Sequence, residues 1–111
     1  MNNVIFPFGP PIYIDKIDEN ILKELDVRIE ETGGKPEFDA SGQLAGRIKK
    51  QTHLDKVISD TTKNVILNHC KNFFEQTSGG QELPMSAMTL DSIWSNIQEA
   101  REYNPIHQHT G

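Results

Sequence analysis

Trp94-Ser-Asn-Ile-Gln-Glu-Ala-Arg-Glu-Tyr-Asn-Pro-Ile-His-Gln-His-Thr-Gly111 is the stretch on which the reading of this chain turns. Its two histidines, His107 and His109, are separated by one residue and follow a Pro-containing turn. In extended backbone, side chains alternate between faces with period two, so both imidazoles project to the same side. Two neutral imidazoles on one face suit a single metal ion, because imidazole is a common ligand for iron, zinc, copper and nickel. A protein metal site takes roughly three or more side-chain ligands, so the rest must come from elsewhere.

Working outward, Pro84 sets off Met85 to Ile97, which reads as one strand. Met88, Leu90, Trp94 and Asn96 share one parity; Thr89, Asp91, Ile93, Ser95 and Ile97 share the other. Both parities are mixed, as expected where helices cover one face and a polar cleft lies on the other. Gln98 to Glu102 is a charged turn, and Tyr103 to His109 is the expected returning strand, with Pro105 at its entry. Trp94 and Tyr103 suit a pocket wall or an ordinary core. Asn96, pointing into apolar surroundings, would need a hydrogen-bond partner.

Before this lies a helical pattern. Leu54, Ile58, Thr61, Val65, Cys70, Phe73 and Phe74 keep helical spacing, and Ser78-Gly79-Gly80 ends it. The helix is expected from Leu54 or Asp55, either unbroken or as two pieces joined near Ser59-Asp60. Cys70 reads as a small hydrophobe. His69 lies near the apolar stripe and His53 suits a cap or a loop; spacing supplies neither with metal-binding partners. Residues 33–53 are polar and Gly-rich and read as a flexible loop without regular structure. The stretch matches neither dinucleotide nor P-loop fingerprints. Arg47, Lys49 and Lys50 form its basic cluster, suited to an acidic substrate.

An earlier helix is capped by Asp18, carries Glu19 in its first turn and stops at Gly33-Gly34. Its expected stripe is Ile21, Leu22, Leu25 and Ile29. Val4 to Ile14 mixes β-branched and aromatic residues with three prolines. It reads as an edge strand, or as two short extended pieces broken at Pro10-Pro11.

One hundred and eleven residues allow one domain, 1–111, or a piece of one. The net charge of −5 argues against a nucleic-acid surface and against binding an anionic membrane. No apolar run approaches the ~20 residues of a membrane span, and no secretory signal is visible. With a single cysteine, these features favour a cytoplasmic setting.

Trp94, Asn96, Tyr103, His107 and His109 stand in the pattern Trp-x-Asn-x6-Tyr-x3-His-x-His. This resembles the segment that opens the catalytic jelly roll in a family of 2-oxoglutarate- and Fe(II)-dependent oxygenases of marine phages and bacteria. In that family a strand with Ser-Trp-x-Asn leads through a turn into His-x-His; here Ser92-Ile93-Trp94 replaces the adjacent Ser-Trp. The resemblance is closest over residues 86–111. It implies Fe(II) and 2-oxoglutarate as cofactors, His107 as a metal ligand, His109 as a second ligand or as a hydrogen-bond donor supporting the site, and Asn96 and Tyr103 in the cofactor-binding pocket. Such oxygenases use His-x-Asp or His-x-Glu and then a distant His. His109 occupies the carboxylate's position, a departure that bears on the second ligand.

The fold expected is α+β: two helices packed on an antiparallel sheet. The resemblance makes that sheet the start of a double-stranded β-helix, truncated, with the distant ligands beyond Gly111. The expected function is that of an oxygenase that hydroxylates an unactivated C–H bond, of which this chain is the N-terminal part and inactive alone. Its substrate, a small molecule or a protein, is not written in the sequence. Two other readings stay open: a small non-enzymatic domain, and a cupin-like metal-binding protein, since cupin motifs also begin with His-x-His on a strand. Open strand edges in such a sheet would also permit a homo-oligomer.

Overall fold

The structure is a computed structural model and describes residues 3–42 and 46–107. Among these residues it is α+β, with two α-helices and two small antiparallel sheets. The chain divides into two compact units. One takes residues 1–22 and 59–90, the other residues 23–58 and 91–111. No helix among the described residues is long and apolar enough to cross a membrane.

In the first unit, β1 (Val4–Ile5) and β2 (Ile12–Tyr13) form a hairpin in the register Val4↔Tyr13 and Ile5↔Ile12. The prolines explain why the pieces are so short, because a proline has no N–H to give a ladder. The tip leaves Phe6 and Phe8 63% and 87% exposed. α2 (Asp60–Thr77) begins at the Ser59-Asp60 break, one of the two starts its spacing allowed. Leu54 to Ile58 closes a turn in which the Leu54 carbonyl accepts from the N–H groups of Val57 and Ile58. Ser59 then breaks the helical path with extended backbone and caps α2, its Oγ accepting from the Thr62 N–H at 3.2 Å. The cap competes with helix continuation, and here it wins. Ser78 N–H to the Phe74 carbonyl, followed by Gly79 and Gly80 at positive φ, ends the helix where the sequence places its end.

The hairpin is tied to α2 by polar groups. The Asn3 N–H donates to Gln76 Oε1 at 2.9 Å. The Tyr13 hydroxyl lies 2.9 Å from Asp15 Oδ2 and 3.0 Å from His69 Nδ1, and its ring meets the Phe73 ring edge-on. The phenol has one proton. The Asp15 carboxyl, held below its usual range chiefly by the Lys16 N–H and next by this phenol, can only accept. Tyr13 therefore donates to Asp15, and His69 Nδ1 donates to Tyr13.

α1 (Glu19–Thr32) starts at Asp18, whose carboxylate accepts from the Asn20 N–H at 2.8 Å. Its first turn, through Leu22, groups with the first unit and the remainder with the second. Ile21 is buried, Leu25 and Ile29 are half-buried, and Thr32 completes the row at 2% exposure. Leu22, expected in that stripe, is 46% exposed. It stands one residue, about 100° of helix, from Ile21, and the row i, i+4, i+8 leaves it off the buried side. The helix stops at Gly33, and Gly34 takes φ +78°.

The second unit is built on β3 (Lys50–His53) and β4 (Trp94–Ile97), antiparallel in the register Lys50↔Ile97, Gln51↔Asn96, Thr52↔Ser95 and His53↔Trp94. Two sequence expectations are corrected here. Residues 33–53 are not devoid of regular structure, since they contain a 3₁₀ turn at Pro36–Phe38 and all of β3. The partner of β4 is β3; of the returning strand expected over 103–109, the described residues 103–107 make a single bridge, Arg47↔Tyr103. Beyond β4, the chain instead meets the segment before β3. On its other edge β3 is covered by Asp39 and Ala40, with the Ala40 N–H donating to the Gln51 carbonyl at 2.8 Å. Ala40, Ile48, Leu54 and Ile58 are the buried apolar residues here, with Gln51 and Thr52 buried among the polar ones. Gln51 Nε2 donates to the Ile48 carbonyl at 2.8 Å.

Replacing Ser59 with alanine is expected to cost about 1 kcal/mol, the usual worth of an N-cap. Glycine, which fits the same backbone, should cost only a few tenths of that. Chemical denaturation of both variants measures it. Equal losses would mean that the hydroxyl is not what starts α2.

Candidate functional site

The site residues read from the sequence lie on β4 and its continuation. Asn96 sits opposite Gln51 and is exposed, so it does not point into apolar surroundings as expected. Trp94 sits opposite His53 and is 37% exposed, which corrects its reading as a core aromatic. A two-stranded ribbon has too little covering mass to bury an indole on it. Tyr103 is 53% exposed, and its carbonyl accepts from the Arg47 N–H at 2.7 Å. His107 is exposed, with Nδ1 at 2.8 Å from the Pro105 carbonyl. A carbonyl can only accept, so Nδ1 carries the proton and Nε2 is the ring's basic nitrogen. His109 lies outside the described residues.

These residues do not converge on a complete metal site. Among the described residues no group of three or more His, Cys, Asp or Glu side chains is placed to hold an ion. His53 has Nδ1 3.6 Å from Asp55 Oδ1, and that carboxylate also accepts the Ile93 N–H at 3.3 Å. His69 belongs to the network with Tyr13 and Asp15.

A feature the sequence did not announce lies between β4 and Tyr103. The step from Lys50 to Arg47 is three residues, whereas the matching step from Ile97 to Tyr103 is six. The excess is looped out as a turn closed by the Glu102 N–H donating to the Glu99 carbonyl at 3.1 Å. Arg101, third residue of that turn, has φ +69°. For a residue with a Cβ this costs on the order of 1 kcal/mol, so the surroundings must hold it. Glu102 supplies the hold. Its Oε1 accepts from the Glu99 N–H and its Oε2 from the Lys49 N–H, both at 2.8 Å. Those two N–H groups keep its carboxyl below the usual glutamate range, the one from Glu99 first. Beside it Lys50 Nζ meets Glu99 Oε1 at 2.7 Å, and that carboxylate raises the lysine's pKa. Gly46 fits here because a Cβ would stand 2.5 Å from Asn104 Oδ1 and displace that side chain.

A cleft of about 550 Å³ opens at this turn, lined by Gly46, Arg47, Lys49, Glu99, Arg101 and Glu102 among others. The sequence singled out Arg47, Lys49 and Lys50. It gave no sign of Arg101 or Glu102, which look like ordinary members of a charged turn. A second cleft of about 650 Å³ lies against the end of α1, lined by Ile29, Lys35, Pro36, Thr52 and Ile97 with the acids Asp26 and Glu30. No protein-family model, curated protein or solved structure matches this chain.

Glu102→Gln is expected to lower the melting temperature at neutral pH. A depressed carboxyl stabilises the fold above its unfolded value, about 4.5, and that contribution is lost as pH falls through the folded value. The gap between variant and parent should therefore close on acidification below the usual glutamate range. A gap constant from neutral to acid pH would show that the charge on Glu102 is not what clamps the turn. Trp94→Ala should cost about 1–2 kcal/mol, below the ~3–5 kcal/mol typical of a buried large aromatic. A fully blue-shifted parent emission would contradict that smaller loss.

Proposed function

We propose that this chain contributes to an iron(II)- and 2-oxoglutarate-dependent oxygenase, with residues 94–109 leading into the metal site. The observation that carries the reading is the state of His107. A backbone carbonyl holds Nδ1–H, the arrangement that orients metal-binding imidazoles and leaves Nε2 as the basic nitrogen. The spacing of Trp94, Asn96, Tyr103, His107 and His109 is its second support. On this reading the β3–β4 ladder opens a double-stranded β-helix. Asn96 and Tyr103 border the 2-oxoglutarate pocket, His107 is a ligand, and His109 takes the carboxylate's position.

The described residues fit such a centre as one ligand of a set. A facial triad takes two histidines and a carboxylate, and among the described residues no such group is assembled. The other ligands would be His109 and groups outside the described residues. Iron(II) with 2-oxoglutarate supplies, when bound, the oxidation of an unactivated C–H bond by dioxygen. This chain's own part is positional. The Pro105 carbonyl fixes the His107 tautomer, and the Arg47 N–H anchors the backbone at Tyr103, four residues earlier. Glu102 holds the turn just before that anchor.

Calorimetric titration with Ni(II) in place of Fe(II) tests the ligand assignment. Binding is expected to be weak, since the described residues supply one ligand of a set. His107→Ala should remove most of it, whereas His53→Ala and His69→Ala should leave it intact. Loss of metal in His109→Ala would make that residue a ligand in the carboxylate's place. If His107→Ala binds nickel as well as the parent does, the site assignment is wrong.

A further inference from the structure

The cleft beside the Glu99–Glu102 turn brings together Arg47, Lys49 and Arg101, which come from two segments more than 50 residues apart. Among the described residues neither guanidinium, nor the Lys49 ammonium, forms an ion pair. The two carboxylates at the cleft are already engaged. Glu99 is bound to Lys50, and Glu102, which accepts two backbone N–H groups, sets its charge against Lys49 and Lys50, so the two arginines carry the excess. In a chain whose net charge is −5, this leaves a local excess of positive charge lining a concave surface. Arg101 is also kept at φ +69°, where glycine or asparagine would be the ordinary choice.

We propose that this cleft is a binding site for a small dianion bearing phosphate or carboxylate oxygens, with Arg47 and Arg101 as its principal cationic residues and Lys49 supporting them. A guanidinium offers a planar fork of N–H donors that matches two oxygens of one phosphate or carboxylate group. The walls raise the local potential above that of an open surface. The inference does not depend on the oxygenase reading, since it uses neither His107 nor a metal.

The test is a titration of the 111-residue chain at low ionic strength, in a buffer free of competing anions, with inorganic phosphate in one arm and succinate in the other. Backbone amide shifts in the nuclear magnetic resonance spectrum are the readout. Saturable shifts centred on residues 46–49 and 99–102 are expected with at least one anion, and the tighter arm identifies the phosphoryl or the carboxylate class. Arg47→Gln and Arg101→Gln should each weaken binding at least tenfold, while Lys63→Gln on α2 should not. Arg101→Gly separates structure from binding. Glycine accepts the left-handed backbone, so its melting temperature should rise while its affinity falls as far as that of Arg101→Gln. No saturable shift with either anion would overturn the proposal. So would an Arg101→Gly variant that binds like the parent, or a Lys63→Gln variant that loses as much as Arg101→Gln.

Discussion

The second unit depends on one backbone ladder, the pairing of Lys50–His53 with Trp94–Ile97. The Leu54 N–H extends it by donating to the Ile93 carbonyl at 2.9 Å, and the Arg47–Tyr103 bridge lies beyond its other end. A two-stranded ribbon is marginal in water. This one is reinforced because β3 has Asp39 and Ala40 on its second edge, and because Gln51 meets the buried Ile48 carbonyl. The described candidate site residues take their places from this ladder. Asn96 and Trp94 are on it, Tyr103 is pinned to its extension, and His107 follows four residues on.

What was legible in the sequence was mostly local. Asp18 as a cap, Gly33-Gly34 as a stop, Ser78-Gly79-Gly80 as a second stop and the break at Pro10-Pro11 each act through the backbone within a few residues. β3 was not legible. Lys-Gln-Thr-His carries no alternating apolar signal, because Gln51 and Thr52 are both buried as polar groups, one of them through a specific hydrogen bond. Of the two expectations for α2, an unbroken helix and two pieces joined near Ser59-Asp60, the structure has the break. Leu54 and Ile58 keep helical spacing while belonging to a turn in the core of the other unit, and only the Ser59 cap marks the true start. Trp94 was read as a pocket wall or an ordinary core residue, and at 37% exposure it is not in the core.

The surroundings of the proposed site residues were not legible in the sequence. The offsets from Trp94 to His109 are a one-dimensional pattern, and the hydrogen bond of His107 to the Pro105 carbonyl lies two residues away. The charged turn is different. Its function as a clamp rests on Glu102 reaching a backbone N–H 53 positions away, and no sequence window contains both partners. The same holds for Arg101, whose strained backbone follows from the unequal spans of the two paired segments.

That separation has a kinetic meaning. The hairpin of β1 and β2 and both helices close over short sequence distances, so their formation carries little loop-closure entropy. The ribbon cannot form until chain ends some 40 to 50 residues apart have met, and its reward in hydrogen bonds arrives only after that entropy has been lost. Its register is also set by a looped-out excess of three residues, which a slipped pairing would misplace along with every side chain on β4. The ribbon thus couples a late folding event to the placement of Asn96, Tyr103 and the Arg47–Arg101 cleft. A chain that folded its helices and its hairpin but missed this meeting would look largely helical and carry none of this surface.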